Sequence, residues 1–279
     1  MTEDVTVRRA LAQSGLVPLD AQVLLAHVLG MGRAWLVAHG DDGVSRERSD
    51  AFLALARRRH EGVPVAYLTG VREFWGLSLR VSPAVLIPRP ETETLVEVAL
   101  ARLPKDRDAR VLDLGTGSGA IALAIAHERP QATVLATDVS ADALEVAREN
   151  ARRLGITNIE FLQADWYDGV APIWRGAAFD LIASNPPYVA AADPHLGEGD
   201  VRFEPGLALT SGGDGLAAIT RIVAGAHARL AGAGTLVVEH GYNQADAVRA
   251  LFVAAGLEEV VGARDLAGIP RIVAGCLAA

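Results

Sequence analysis

From Thr6 to about Glu61 the apolar residues recur at helical spacing: Val7, Leu11 and Leu16, then Val23, Leu24, Val28 and Leu29, then Phe52, Leu53, Leu55 and Ala56. A small helical domain is expected over residues 1–63, with Asp20 and Ser45 as N-caps and Gly30 and Gly62 as stops. The basic run Arg57-Arg58-Arg59-His60 reads as a solvated helix face. Between Pro64 and Pro90 the period shortens. Phe74, Leu77, Leu79 and Val81 partly alternate around Gly76, which predicts a β-hairpin in a linker spanning 64–90. Pro90 suits a first helical position and Glu91 and Glu93 suit the positive helix end, so a helix is predicted from there to about Leu103.

From Arg110 the pattern alternates between short apolar runs and amphipathic stretches. Strands are predicted at Val111 to Leu114, Thr133 to Thr137, Ile159 to Gln163 and Leu181 to Ser184, with helices from Ser118 and from Ala141 to Leu154. A long irregular loop from Val189 to Gly213 precedes a helix, a strand from Thr235 to Glu239, another helix to about Ala255 and two terminal strand-like segments. Such alternation favours an α/β domain, over residues 91–279, built on a mostly parallel sheet with helices on both faces.

Composition narrows the class. At 279 residues and 51% hydrophobic content the chain can bury a sizeable core. The formal net charge of -8 weighs against holding nucleic acid by whole-surface electrostatics, which draws on clustered Lys and Arg. The single cysteine, Cys276, cannot form an internal disulfide, and the seven histidines show no metal-ligand spacing, so no metal is expected. Acids at Met1-Thr2-Glu3-Asp4 speak against an export signal, and the longest apolar stretches fall short of the roughly 20 residues of a membrane span. A cytoplasmic protein with no membrane partner is expected.

Asp113-Leu114-Gly115-Thr116-Gly117-Ser118-Gly119 falls at a strand-to-helix turn, where glycines permit a tight bend and let a ligand lie on the backbone. Gly115, Gly117 and Ala120 also satisfy a dinucleotide fingerprint, with Asp138 placed for a ribose in either reading. Two features favour S-adenosylmethionine over a nicotinamide cofactor. Asp113 would attract a methionine ammonium group and repel a pyrophosphate. Asp165-Trp166 offers adenine an acceptor for its amino group and an aromatic neighbour.

Asn185-Pro186-Pro187-Tyr188 follows the fourth strand, which a doubly wound sheet places beside the first, at the ligand-binding crevice. Two prolines stiffen the backbone and remove N–H donors, so the Asn185 side-chain carbonyl and the Pro186 main-chain carbonyl can both accept. Paired acceptors suit an –NH2 group on a planar amide or aromatic ring, whose delocalised lone pair makes it a poor nucleophile. Hydrogen bonds to its protons orient it toward a methyl donor without a strong general base, and the Tyr188 ring can stack on the planar group.

These motifs, with Tyr67-Leu68-Thr69-Gly70, Glu73-Phe74-Trp75-Gly76, Ile87-Pro88-Arg89-Pro90-Glu91-Thr92-Glu93 and Phe203-Glu204-Pro205, span nearly the whole chain. Together they resemble the protein-(glutamine-N5) methyltransferases that modify peptide chain release factors. The resemblance implies a class I S-adenosylmethionine-dependent methyltransferase fold, Rossmann-like with a mostly parallel seven-stranded sheet, behind a helical substrate-docking domain. It implies transfer to the glutamine of a Gly-Gly-Gln loop, leaving S-adenosylhomocysteine. Gly115, Thr116, Gly117, Ser118 and Gly119 would line the cofactor, Asp138 would hold its ribose and Trp166 would lie at its adenine. Asn185 would touch cofactor and substrate, with Pro186, Pro187 and Tyr188 closing around the glutamine. The expected partner is a release factor, met by a monomer without direct nucleic-acid contact. Two alternatives stand beside this reading: an adenine-N6 or guanine-N2 methyltransferase acting on nucleic acid, whose amines want the same acceptors, and a non-catalytic cofactor-binding module.

Overall fold

The computed structural model describes residues 5–105, 107–171, 173–176 and 178–278. The Met1 to Asp4 stretch, whose acids weighed against an export signal, lies outside them. The chain divides into two compact units, one of Met1–Val71 with Gly197–Phe203, the other of Arg72–Leu196 with Glu204–Ala279.

In the first unit, β1 (Val5–Thr6) pairs with β2 (Gly43–Val44); among the described residues α1 (Val7–Gln13), α2 (Pro18–Leu29) and α3 (Arg33–Ala38) lie between these two strands, and α4 (Arg46–His60) and α5 (Val65–Thr69) follow them. Val7, Leu24, Leu25, Leu36, Phe52 and Leu68 make its core. Ser45 caps α4 by accepting from the Arg48 amide, and Gly30 ends α2 in the left-handed conformation at φ 68. Asp20 is not an N-cap. Pro18 presets φ at the first helical position, so Val17 takes the cap and Asp20 falls inside the first turn. There its carboxylate accepts from Arg59 at 2.7 Å, and Arg59 also pairs with Asp200 at 2.7 Å. The basic run is therefore split: Arg57 and Arg58 are exposed, while Arg59 crosslinks α2, α4 and the Gly197–Phe203 segment.

The second unit opens with the hairpin β3 (Val71–Phe74) and β4 (Leu77–Arg80), whose turn places Trp75 at φ 54 and Gly76 at φ 68. A 3-10 turn over Pro90–Thr92 leads into α6 (Glu93–Arg102). The alternating part runs β5 (Arg110–Leu114), α7 (Ala120–Glu128), β6 (Thr133–Asp138), α8 (Ala141–Leu154), β7 (Ile159–Gln163), β8 (Phe179–Ser184), α9 (Ala217–Ala226), β9 (Leu230–Glu239), α10 (Ala245–Ala254), β10 (Glu258–Arg264) and β11 (Pro270–Cys276). The seven strands order as β10-β11-β9-β8-β5-β6-β7, with β9, β8, β5, β6 and β7 parallel and β11 antiparallel to both neighbours.

Strand residues alternate between two buried layers, as a sheet covered on both faces requires. Val111, Leu181 and Val237 pack with α6, α7, α8 and the hairpin's Phe74 and Leu79. Leu112, Leu114 and Ile182 pack with Ile219 and Ile222 of α9 and Val248 and Phe252 of α10. Helix α7 starts at Ala120 rather than Ser118, because Gly119 adopts φ 86 and serves as its cap. The strand ending at Glu239 lies inside the sheet, because β11 turns back to pair with it and leaves β10 outermost.

Candidate active site

The chain leaves β5 toward β6 and β7, then crosses to place β8 on the other side of β5, so the sheet's switch point falls between β5 and β8. Leu114 and Ser184 are register partners, and the Ser184 hydroxyl donates to the Leu114 carbonyl at 2.7 Å. The glycine loop and Asn185 therefore start side by side at the carboxyl ends of neighbouring strands. A cavity of about 480 Å³ opens there, within the span of small-molecule sites.

Gly115, Gly117 and Gly119 all take positive φ, at 72, 55 and 86. Asp138, ending β6, accepts from the Gly117 amide and the Ser140 amide, each at 2.9 Å. A carboxylate offers about four lone-pair sites, so two remain for further donors. Burial raises its pKa, and those amide bonds oppose the rise. Thr116 is fixed from beneath: its amide donates to the Thr137 carbonyl at 2.8 Å and its hydroxyl to Asp113 at 2.6 Å.

Of the residues predicted for the cofactor, Gly115, Thr116, Gly117, Ser118, Asp138, Asp165, Trp166 and Asn185 line the cavity, as does Pro187 of the substrate set. Asp113 stands behind it. Its carboxylate is fully buried under Thr116, with a pKa pushed up to about 7 by burial against the opposing Thr116 hydroxyl and Ala122 amide. Gly119 is held by packing, since an added Cβ would come within 2.9 Å of Leu123 and 3.3 Å of Ala147. Pro186 is buried. Tyr188 packs on the α9 and α10 side of the sheet, with its hydroxyl donating to Glu239 at 3.3 Å.

Trp166 sits at φ 53 in a turn closed by the Asp165–Asp168 bridge, and its ring lies 3.5 Å from where a Cβ on Gly115 would stand. Arg221 pins that turn, reaching both Asp165 oxygens at 3.1 Å and Asp168 at 3.4 Å. The Asp165 carboxylate thus already has a cationic partner. A non-glycine side chain in the left-handed region costs energy, and here the surroundings hold an indole at the cavity wall.

Several contributors escaped the sequence reading. Arg89 pairs with the buried carboxylate of Glu204 at 2.6 Å, joining the Pro88–Pro90 turn to the segment before Pro205. Glu93 accepts from the Trp75 amide at 2.9 Å. Thr92, 4% exposed, accepts from the Asn185 side-chain amide at 3.1 Å. Glu239, 1% exposed, has a pKa pushed up to about 7, chiefly by burial, with the hydroxyls of Thr92 and Tyr188 lowering it. Gln244 donates to the Tyr188 carbonyl at 3.1 Å and the Asp214 carbonyl at 3.2 Å. Gly215 approaches that same Tyr188 carbonyl so closely that a Cβ would sit 2.2 Å from it.

A seven-stranded sheet of this order, with a glycine turn after its first strand and an acid ending the second, defines a class I S-adenosylmethionine-dependent methyltransferase fold. The residues present fit that cofactor: the turn at Gly115 exposes bare backbone against the Trp166 ring, and Asp138 keeps acceptor capacity for a pair of ribose hydroxyls. A methyltransferase-domain family profile matches residues 105–204, and a PrmC N-terminal domain profile matches residues 6–70. A release factor glutamine methyltransferase of Bordetella pertussis is 54% identical over 267 residues, covering 96% of this chain and 97% of its own. One from Escherichia coli is 49% identical, covering 92% of this chain and 91% of its own. This chain belongs to the release factor glutamine methyltransferase family. A solved methyltransferase from Pyrococcus furiosus, 16% identical with a TM-score of 0.56, covers 80% of this chain and 98% of its own and shares the fold.

Proposed function

We propose that the protein transfers a methyl group from S-adenosylmethionine to the side-chain amide nitrogen, N5, of the glutamine in the Gly-Gly-Gln motif of peptide chain release factors. The observation that carries this reading is the place of Asn185: it begins where β8 ends, beside the glycine loop, with its Nδ2 engaged by Thr92. Its carbonyl oxygen is then available to accept from a substrate –NH2 group. The family membership supplies the identity of that group.

Bound S-adenosylmethionine supplies an electrophilic methyl group on a sulfonium. The chain's residues do the rest. Gly115 to Gly119 and Asp138 seat the cofactor, and Asp165 and Trp166 stand at its adenine end. Asn185 Oδ1 and the Pro186 carbonyl accept the two N–H bonds of the glutamine amide, turning its nitrogen toward the methyl and drawing electron density onto it. Pro186 and Pro187 keep those acceptors in place, because proline fixes φ. Pro187 and Tyr188 close around the planar amide. The nitrogen forms its N–C bond as the methyl's S–C bond breaks, leaving S-adenosylhomocysteine, and the N–H proton it then loses passes to water, so no strong base is needed at that point.

A protein substrate also suits the net charge of -8, since gripping a phosphate backbone draws on clustered cations. The reading includes a cytoplasmic monomer. Among the described residues, no helix is long and apolar enough to cross a membrane. Incubating the protein and methyl-labelled cofactor with either a release factor or unmodified nucleic acid tests the substrate class. Label is expected in the release factor, and label only in nucleic acid would overturn the proposal.

A further inference from the structure

Gln244 belongs to none of the sequence motifs and stands outside the lining of the cavity, yet its side chain reaches the last residue of the Asn185–Tyr188 segment. Building on the glutamine-methylation reading, we infer that Gln244 is a positioning residue: it holds the Tyr188 carbonyl and so fixes the far end of the segment whose acceptors meet the substrate amide.

The sheet register brings the two together. Ser184 and Val238 are partners on the parallel strands β8 and β9, so the segment after β8 and the turn after β9 leave the sheet side by side. That turn closes on itself at the head of α10: the Gln244 amide donates to the Gly241 carbonyl at 3.0 Å, and the Gly241 amide donates to Gln244 Oε1 at 2.8 Å. Nε2 is left to donate to the Tyr188 carbonyl at 3.1 Å and the Asp214 carbonyl at 3.2 Å. These partners decide which end of the side-chain amide is which. Two carbonyls need donors and a main-chain N–H needs an acceptor, so the flipped side chain would lose all three bonds. Gln244 is 8% exposed, which leaves its side chain little room to swing away.

Gly215 belongs to the same arrangement. It takes φ 78, and a Cβ there would run into the Tyr188 carbonyl and stand 2.8 Å from Gln244 Nε2. One residue further along, the Val189 amide donates to the Leu209 carbonyl at 2.9 Å, and the Val189 carbonyl accepts from Ser211 at 3.0 Å. Thr210 and Ser211 line the cavity with Asn185 and Pro187. The segment is thus anchored by Ser184 at one end and Gln244 at the other, with two prolines as a stiff bridge between. Loosening the Gln244 end frees the Pro186 carbonyl and the Tyr188 ring to drift. The glycine loop keeps its place, because its own bonds run to Thr137 and Asp138 of β6.

Gln244→Met keeps the length of the side chain and removes its three bonds. Gln244→Glu keeps the acceptor for Gly241 but, as a carboxylate, turns an oxygen toward the two carbonyls. A displacement of about 1 Å can cost about 100-fold in rate, so kcat per folded protein should fall between about tenfold and about 100-fold in Gln244→Met and at least as far in Gln244→Glu, with Kd for S-adenosylmethionine unchanged. A merely structural role would weaken cofactor binding along with turnover. An unchanged kcat, or cofactor affinity that falls in step with it, would overturn the inference. A second readout is independent of turnover. Tyr188-Val189 is the one Tyr-Val pair in the chain, so isotope labels on tyrosine carbonyl carbons and valine nitrogens single out the Tyr188 carbonyl by nuclear magnetic resonance. Its carbon resonance should move upfield in Gln244→Met, because a hydrogen bond to the oxygen deshields that carbon; an unmoved resonance would also overturn the inference. If the resonance moves while the parent transfers no methyl to a release factor, the functional reading fails and the hold on Tyr188 stands. Gln244→Glu serves the same comparisons should Gln244→Met not fold.

Discussion

Replacing Asn185 with alanine separates chemistry from stability. In the fold, Asn185 makes one hydrogen bond, from Nδ2 to Thr92, and is only half-buried, so its truncation leaves little void. The loss of a single such bond costs about 1 kcal/mol of stability. In the reaction, the same truncation deletes an acceptor held in place by Ser184 on one side and Pro186 on the other. Losing one preorganised polar contact to a transition state costs about 2.7–4 kcal/mol, or roughly 100- to 1000-fold in kcat. The chemical loss should therefore exceed the stability loss several-fold. The assay is the rate of methyl incorporation into a release factor at saturating cofactor and protein substrate, with a thermal melt of the same sample. A large drop in kcat in a folded variant, with cofactor affinity and release-factor docking kept, is expected. Unchanged turnover, or a drop that follows the unfolded fraction, would refute the acceptor role.

Two further predictions come from buried polar groups. Asn150 of α8 is fully buried and accepts from the Arg80 amide at 2.6 Å while donating to the carbonyls of Arg80 and Ser118, so Asn150→Ala strands groups on both the hairpin and the glycine loop. A loss of about 3 kcal/mol, read as an earlier urea midpoint, is expected, together with weaker cofactor binding. Asp113 has its pKa raised by burial from 3.8 to about 7, so the folded state holds this proton more tightly than the unfolded chain. Its contribution to stability is complete below 3.8 and is lost as pH climbs through about 7. Asp113→Asn should therefore gain on the parent in thermal melts as pH rises from about 5 to about 8, and a constant difference would contradict the assignment.

Much of the fold was legible because the determinants are local. The glycine turn at Gly115, the alternation of strand and helix patterns and the Pro90 helix start each occupy a few consecutive residues, and all appear near their predicted places. Asp20 misled because Ser, Thr, Asp and Asn are cap residues by type, while Pro18 two positions earlier had already fixed where α2 begins. Arg59 looked like surface charge because its partners Asp20 and Asp200 are far along the chain. The place of Glu239 inside the sheet was not legible, because strand order depends on β11 folding back beside β9, which no local pattern announces. In the candidate site, the glycines, Asp138, Trp166 and Asn185 were found from motifs. Their supports, Thr92, Glu239, Arg221 and Gln244, were not, since each acts across at least 50 positions of sequence or through a backbone carbonyl.

The central claim is that the acceptor at Asn185 receives the side-chain amide of one glutamine. Tandem mass spectrometry of an unmodified release factor after incubation with the protein and S-adenosylmethionine tests it most directly. The account predicts a mass gain of one methyl group on the glutamine of the Gly-Gly-Gln motif and on no other residue. A methyl group on a different residue type, or a release factor left unmodified by active protein, would contradict it.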